Sequence, residues 1–275
     1  MLHCGKFQFD LARPLVMGIV NVTPDSFSDG GSHASASAAI AHARKLFDDG
    51  ADILDIGGES TRPGAAPVSE QEELERVLPV IEGLRGIAIP ISVDTLKPEV
   101  MRAALAAGAS MVNDVNALQA PGALDVVARS DAAVCLMHKQ GTPQNMQQQP
   151  HYQDVVDEVK AFLHERILRV EAAGIARSRI VVDPGFGFGK TLAHNLALLN
   201  GLEAFRALAV PLLAGLSRKS MLGAITGRDV NERLAASVTA AVLAVQRGAA
   251  IVRVHDVRET VDALKILNAL NESET

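Results

Sequence analysis

A closed parallel (β/α)8 TIM barrel, an α/β fold, is the class this 275-residue sequence predicts, and three observations carry it. Eight short apolar runs rich in Val and Ile recur along the chain. Each ends abruptly in a polar residue or glycine, and amphipathic helical stretches separate them. Strands buried on both faces read as nearly continuous apolar runs, and their alternation with helices marks a parallel sheet wound by crossovers. An open doubly wound sheet is the rival arrangement of the same elements. Barrels of this kind take about 250 residues, so one domain over residues 1–275 is expected.

The runs are LVMGIVN (15–21), DILDIGG (52–58), IPISVDT (89–95), MVND (111–114), AVCLMH (133–138), IVVDPG (180–185), PLLAGLS (211–217) and IVRVHD (251–256). Between them SASAAIAHARKLFDD, SEQEELERVLPVIEGL, PEVMRAALAAG, YQDVVDEVKAFLHERILRVEAAG and ERLAASVTAAVLAVQRG read as helices. Ser69 with Glu72 has the spacing of a capping box, and Asp256 with Glu259 resembles one. Gly50, Gly108, Gly174 and Gly248 stand where helices must stop, because glycine reaches the left-handed backbone that ends them. Ahead of the first run, KFQFDLA alternates like a short hairpin able to close the barrel bottom. QGTPQNMQQQP (140–150) reads as a mobile polar loop.

Composition narrows the function. With 26 Lys and Arg against 32 Asp and Glu, a formal charge of −6, the chain has no basic field for a polynucleotide, so no nucleic acid partner is expected. The longest apolar helical run, Ala235 to Val245, contains Ser237 and Thr239 and is shorter than the roughly 20 residues of a membrane span. MLHCGKFQFDLARP is broken by Lys6, Asp10 and Arg13, where a signal peptide needs an uninterrupted apolar region. A soluble cytoplasmic protein, held to no membrane, is expected. Two cysteines, Cys4 and Cys135, are too few for a disulfide framework, and Cys135 inside AVCLM reads as a small buried side chain.

Barrel enzymes place their active sites at the C-terminal ends of the strands. The residues closing the runs are Asn21, Asp55 with Gly57 and Gly58, Asp94, Asn113 with Asp114, His138, Asp183, Ser217, and Arg253 with His255. Any one Asp or Asn could simply cap the following helix. Capping gives no reason for Asp94, Asn113 and Asp183 to converge on one mouth, and that set suits a flat ligand rich in N–H donors. Lys219, in SRKS, joins Arg253 and His255 to make the other side basic, where barrels commonly hold phosphate. Cations at a helix N-terminus oppose its dipole, so Arg218 or Lys219 has a ligand to meet.

Two long loops, NVTPDSFSDGG (21–31) and GGESTRPGA (57–65), carry Phe27 and Arg62 and suit closure over a substrate. DPGFGFGK (183–190), followed by Thr191, invites a phosphate-loop reading. The pattern G-x-x-x-x-G-K-[ST] requires glycine where Pro184 stands, so that reading fails. The stretch becomes a carboxylate, Asp183, followed by a glycine-rich bend that aims Phe186 and Phe188 at ligands.

MGIVNVTPDSFSDGG, DIGGESTRPGA, ISVDT, NDV, DPGFGFGK, LSRKSML and VRVHDV, in this order, resemble the bacterial dihydropteroate synthase family over almost the whole chain. The resemblance implies joining of 7,8-dihydropterin-6-ylmethyl diphosphate to 4-aminobenzoate with loss of pyrophosphate, a step toward folate, and inhibition by sulfonamides. It implies that Asp94, Asn113 and Asp183 hold the pterin edge, that Lys219 contacts the ring and that Arg253 stacks on it. Thr61, Met137, Phe188 and His255 complete the pterin diphosphate site, and Asn21 becomes the ligand of Mg2+. Phe27, Thr61, Arg62, Pro63, Phe186 and Ser220 resemble the 4-aminobenzoate pocket. Lys219, Arg253, His255 and Asp94 are implied to carry catalysis, and the late helices a homodimer. Lys139, in MHKQG, departs from the pattern beyond its strand, where no consequence is expected. A corrinoid-linked pterin methyltransferase shares the pterin pocket but lacks TPDSFSDGG and ESTRPG in this form. A non-catalytic pterin-binding paralogue would have no need of Asn21, Arg62, Lys219 and His255 together.

Overall fold

The computed structural model describes residues 1–23, 31–60, 64–142 and 145–273. Two short strands, β1 (Leu2–Cys4) and β2 (Phe7–Phe9), pair antiparallel at the start. The alternating body follows as β3 (Leu15–Asn21), α1 (Gly31–Asp48), β4 (Ile53–Gly57), α2 (Glu70–Gly83), β5 (Ile91–Asp94), α3 (Pro98–Ala107), β6 (Met111–Asp114) and α4 (Ala123–Ala128). It continues through β7 (Ala133–Met137), α5 (Val155–Ala172), β8 (Ile180–Asp183), α6 (Leu192–Asn200), β9 (Leu213–Ala214), α7 (Ser220–Thr226), α8 (Leu234–Gln246), β10 (Ile251–Val254) and α9 (Val257–Ser273). None of the helices among the described residues is long and apolar enough to cross a membrane.

Eight strands form one sheet in the order β8-β7-β6-β5-β4-β3-β10-β9, every pair parallel. The ends of that order meet through a parallel bridge between Val182 and Leu212, where the Val182 N–H donates to the Pro211 carbonyl at 3.0 Å. The sheet is therefore the predicted barrel and not the open rival. LVMGIVN and MVND coincide with β3 and β6. PLLAGLS shortens to the two residues of β9. Pro211 has no N–H for a ladder, and beyond Gly215 the Leu216 carbonyl turns to accept from Lys219 N at 3.2 Å.

Strand parity divides the core in two. Val16, Leu54, Ile56, Val112, Val134, Leu136, Val182 and Val252 face outward and pack on helix residues such as Ala39, Val77, Met101 and Leu163. Leu15, Met17, Ile53, Met111, Ala133, Cys135, Val181, Leu213 and Ile251 face into the ring as a separate cluster. Leu2 and Cys4 belong to that inner cluster and are fully buried, so the N-terminal hairpin plugs the bottom of the barrel. The hairpin begins earlier than KFQFDLA suggests: LHC is its first strand, with Gly5 at φ +57° in the turn.

The helix ends follow the expected chemistry with two corrections. Ser69 caps α2 by accepting from Glu72 N at 3.2 Å, but the Glu72 carboxylate pairs with Arg76 one turn on instead of completing the box. Asp256 does not serve α9 with its side chain, because both of its carboxylate oxygens accept from Arg218, at 2.5 and 3.1 Å. Gly50, Gly108, Gly174 and Gly248 all have φ between +90° and +120°, as helix termination by glycine requires.

Because Leu2 fills the inner cluster from outside the ring, Leu2→Ala is expected to cost about 2 to 3 kcal/mol in urea denaturation. Ligand binding at the opposite end of the barrel should be unchanged in the same variant.

Candidate active site

Continuing two residues past each inner apolar side chain reaches a polar layer. Ile53 is followed inward by Asp55, Met111 by Asn113, Val181 by Asp183 and Ile251 by Arg253, while Ser92 leads to Asp94 and Cys135 to Met137. Sheet register sets Asp94 beside both Gly57 and Asn113, and Met137 beside Asp183. The structure thus brings Asp94, Asn113, Met137, Asp183 and Arg253 into one layer. Gly215 shares it without a side chain: a Cβ there would stand 3.8 Å from Asp183 Oδ2 and 3.9 Å from Arg253 Cβ.

Arg253 is the centre of this layer. Its Nε donates to Asp55 Oδ2 at 2.6 Å and its Nη2 to Asp94 Oδ2 at 2.7 Å. The same Asp55 oxygen accepts from Asn113 Nδ2 at 3.0 Å. Asp55 stands among the closing residues in the sequence but outside the predicted site set, although its place two residues beyond Ile53 is the signal that would have included it. Burial raises the Asp94 carboxyl to about 7, against the pull of Arg253 and with Asp55 adding to the rise. Burial raises Asp183 as well, opposed by Lys219 and by the Gly185 N–H, which donates to Asp183 Oδ1 at 2.7 Å. Burial works against the Arg253 charge, and Asp55 and Asp94 more than restore it.

The DPGFGFGK stretch is held by its own lysine. Gly185, Gly187 and Gly189 have φ of +70°, +82° and +64°. A Cβ on Gly185 would fall 1.8 Å from the His138 carbonyl oxygen, and one on Gly189 2.5 Å from that of Gln140. Lys190, only 3% exposed, donates to Gly185 O at 2.9 Å, Phe188 O at 3.0 Å and His138 Nδ1 at 3.0 Å. With the His138 carbonyl as a fourth, longer contact at 3.5 Å, its N–H groups are taken up internally, so the lysine that resembles a phosphate ligand closes its own loop. Burial draws Lys190 down to about 7, and burial with Lys190 nearby draws His138 down to about 3, which keeps the imidazole neutral as an acceptor. Nothing in the sequence distinguishes this lysine from a solvated one; only the approach of β7 does.

Neighbouring side chains fasten the same loop. Tyr152 Oη donates to Gly189 O at 3.0 Å, Gln147 Nε2 to Gly187 O, and Gly187 N to Asn195 Oδ1 at 2.7 Å. Within the polar 140–150 loop, Met146 is buried and Gln147 is tied to the bend, while most of the other described residues are exposed.

Lys219 precedes α7 and donates from Nζ to the Phe186 carbonyl, with the ammonium 4.6 Å from the centre of the Phe188 ring. Burial lowers it to about 8 while Asp183 opposes the shift. Arg218 has an internal partner in Asp256, so Lys219 is the cation of SRKS that faces the site. Ser220 is exposed at the start of α7. His255 Nδ1 lies 2.9 Å from Ser217 Oγ, and Asn21 is half-buried at the end of β3 beside Gly57.

Phe186 is corrected. Its side chain is fully buried in the outer core, because the turn at Gly185 directs it away from the mouth, and its carbonyl serves Lys219 instead. Lys139 lies beyond β7 and is half-buried; burial lowers its pKa, and Asp114 and Glu59 counter the shift. Phe27, Thr61, Arg62 and Pro63 lie outside the described residues. Among the described residues, no group of three or more His, Cys, Asp or Glu could hold a metal ion.

Residues 17–255 match the family described as pterin binding enzyme. The chain is 52% identical to the dihydropteroate synthase of Escherichia coli (strain K12) over 261 residues, 94% of this chain and 93% of that one. Among solved structures it is similar to Yersinia pestis dihydropteroate synthase in a sulfonamide drug complex, at 50% identity and TM-score 0.94, covering 98% of this chain and 99% of that one. It is also similar to Burkholderia cenocepacia dihydropteroate synthase complexed with 7,8-dihydropteroate, at 51% identity and TM-score 0.92, covering 99% and 97%.

Two glycines with left-handed backbone separate strain from collision. Gly174→Ala, with nothing within 4 Å of the new methyl, should cost about 1 to 2 kcal/mol in denaturant unfolding. Gly185→Ala, which meets a carbonyl oxygen, should lose several times that or fail to accumulate as soluble protein.

Proposed function

The chain belongs to the pterin-binding enzyme family, as a dihydropteroate synthase, and from that premise we propose that it joins 7,8-dihydropterin-6-ylmethyl diphosphate to 4-aminobenzoate, giving 7,8-dihydropteroate and pyrophosphate. The observation that carries this reading is the polar layer around Arg253. Asp94, Asn113 and Asp183 offer acceptors to the N–H edge of a 2-amino-4-oxo pyrimidine ring. The Nε and Nη2 groups of Arg253 are committed to carboxylates, so what it offers a ligand is its flat face and Nη1. A guanidinium face suits stacking on a planar ring. Met137 and Phe188 supply apolar contact, and Lys219 reaches the ring from the β9 side.

In this reading Asn21, Arg253 and His255 receive the diphosphate. Asn21 fits Mg2+ as a hard oxygen donor, and with no acidic cluster among the described residues the ion would be held mainly by phosphate oxygens. Bound so, it would neutralise charge on the leaving group. Ser220 faces the 4-aminobenzoate side, where Phe27, Thr61, Arg62 and Pro63 belong by family pattern, while buried Phe186 contributes only its carbonyl contact with Lys219.

The chemistry needs little from an acid or base. The C–O bond to diphosphate breaks with its electron pair on oxygen, and the electron-rich ring stabilises the methylene cation. The neutral aryl amine then forms the C–N bond and loses a proton to water. Arg253 and His255 take up charge on the departing group, and placement supplies much of the rate. Ile225 on α7, Val230, and Leu234 at the start of α8 are each exposed, which suits the homodimer through the late helices that the family pattern implies.

Formation of dihydropteroate should require both substrates and Mg2+, and a sulfonamide should inhibit in a way that 4-aminobenzoate relieves; no dihydropteroate with both substrates and Mg2+ present would count against the reaction. The pH profile is a second check. With Asp94 near 7 and Lys219 near 8, kcat/KM for the pterin substrate should rise as Asp94 ionises and fall as Lys219 loses its proton. Asp94→Asn should remove the acid limb and keep the alkaline one. A flat wild-type profile from about pH 6 to about pH 9 would speak against both roles.

A further inference from the structure

We propose that Asp55 is the positioning residue that decides how the pterin pocket presents its hydrogen bonds, an inference that rests on the pterin reading above. Asp55 itself is fully buried beneath the mouth. Its Oδ2 accepts from Asn113 Nδ2 at 3.0 Å and from Arg253 Nε at 2.6 Å. The pocket residues on β6 and β10 are therefore governed from one atom on β4.

An Asn side chain has a donor end and an acceptor end of nearly equal shape, and its surroundings choose which faces a ligand. A carboxylate can only accept, so Asp55 fixes the Asn113 amide with its NH2 inward and its oxygen toward the mouth. Asn113 thereby becomes an acceptor for a ring N–H. Were the amide reversed, its donor would oppose that N–H and reject the ring.

The same oxygen sets Arg253. With Nε on Asp55 and Nη2 on Asp94, the side-on edge of the guanidinium is held at two points, which defines its plane. A side chain held at one point could rotate and lose the stacking face. Asp55 Oδ1 is buried with no partner among the described residues. A carboxylate left half satisfied at zero exposure is a poor stabiliser, which fits retention for the site and not for the fold.

The test compares Asp55→Asn, Asn113→Asp and the double exchange in the full chain. The readouts are the affinity for 6-hydroxymethylpterin by calorimetry and KM for each substrate. Asp55→Asn should weaken pterin binding by about 10-fold or more and raise KM for the pterin diphosphate, while KM for 4-aminobenzoate stays within about 2-fold of wild type. Asn113→Asp sets two carboxylates face to face and should be at least as damaging. The exchange restores a donor–acceptor pair between positions 55 and 113 but leaves Arg253 Nε without its carboxylate oxygen, so it should recover part of the loss relative to Asn113→Asp.

Equal loss in the exchange and the single variants, or unchanged pterin affinity in Asp55→Asn, would overturn the role. A wild type that takes up no pterin would instead refute the pterin reading and take this inference with it. If the variants do not fold, 15N NMR of the wild type decides: the Arg253 Nε–H should be resolved and slow to exchange both before and after pterin is added. Exchange at the rate of a solvated arginine would overturn the role.

Discussion

A strand in a closed ring can send only alternate side chains inward, and the rest of this molecule depends on that parity. Ile53 and Asp55, Val181 and Asp183, and Ile251 and Arg253 are each two residues apart, about 7 Å along the strand. One member of each pair lies in hydrocarbon and the other in the polar mouth. The plug of Leu2 and Cys4 keeps water from the lower layers, so the polar groups gather at the one end left to them. Buried charges of this kind are weak contributors to stability, and the two apolar clusters must carry the fold.

Among the described residues, the cations of the site are each engaged from within the chain. Arg253 rests on two carboxylates, Lys190 on three carbonyls and an imidazole, and Lys219 on the Phe186 carbonyl beside the Phe188 ring. Groups fixed before the ligand arrives need little reorganisation during reaction, the condition under which electrostatic stabilisation is most effective. Rigidity also reaches the DPGFGFGK bend, whose glycines are demanded by the backbone of His138 and Gln140 and whose lysine faces inward.

Much of this was legible in the residues. Periodic apolar runs ending in polar residues located the eight barrel strands, and strand parity makes Asp94, Asn113, Asp183 and Arg253 share one layer. What could not be read depended on approaches between distant segments. Asp256 looks like a cap until Arg218 arrives from 38 residues away. Phe186 looks ligand-facing until the Gly185 turn directs it into the core, and Lys190 looks solvated until β7 passes beside it. Asp55 was the nearest miss, since its position is legible and only its two partners are not.

The ring has an uneven circumference. Between β8 and β9 a single bridge, Val182 to Leu212, joins the edges, whereas every other neighbouring pair in the ring shares between two and five paired residues. Asp183 stands on one bank of that seam and Lys219 follows the other. A molecule gripped by both spans the gap, so part of the work of holding the cylinder shut passes to its occupant. Occupancy and closure are then linked by mass action: the filled protein should resist opening at this seam more than the empty one, without any new contact between the strands themselves.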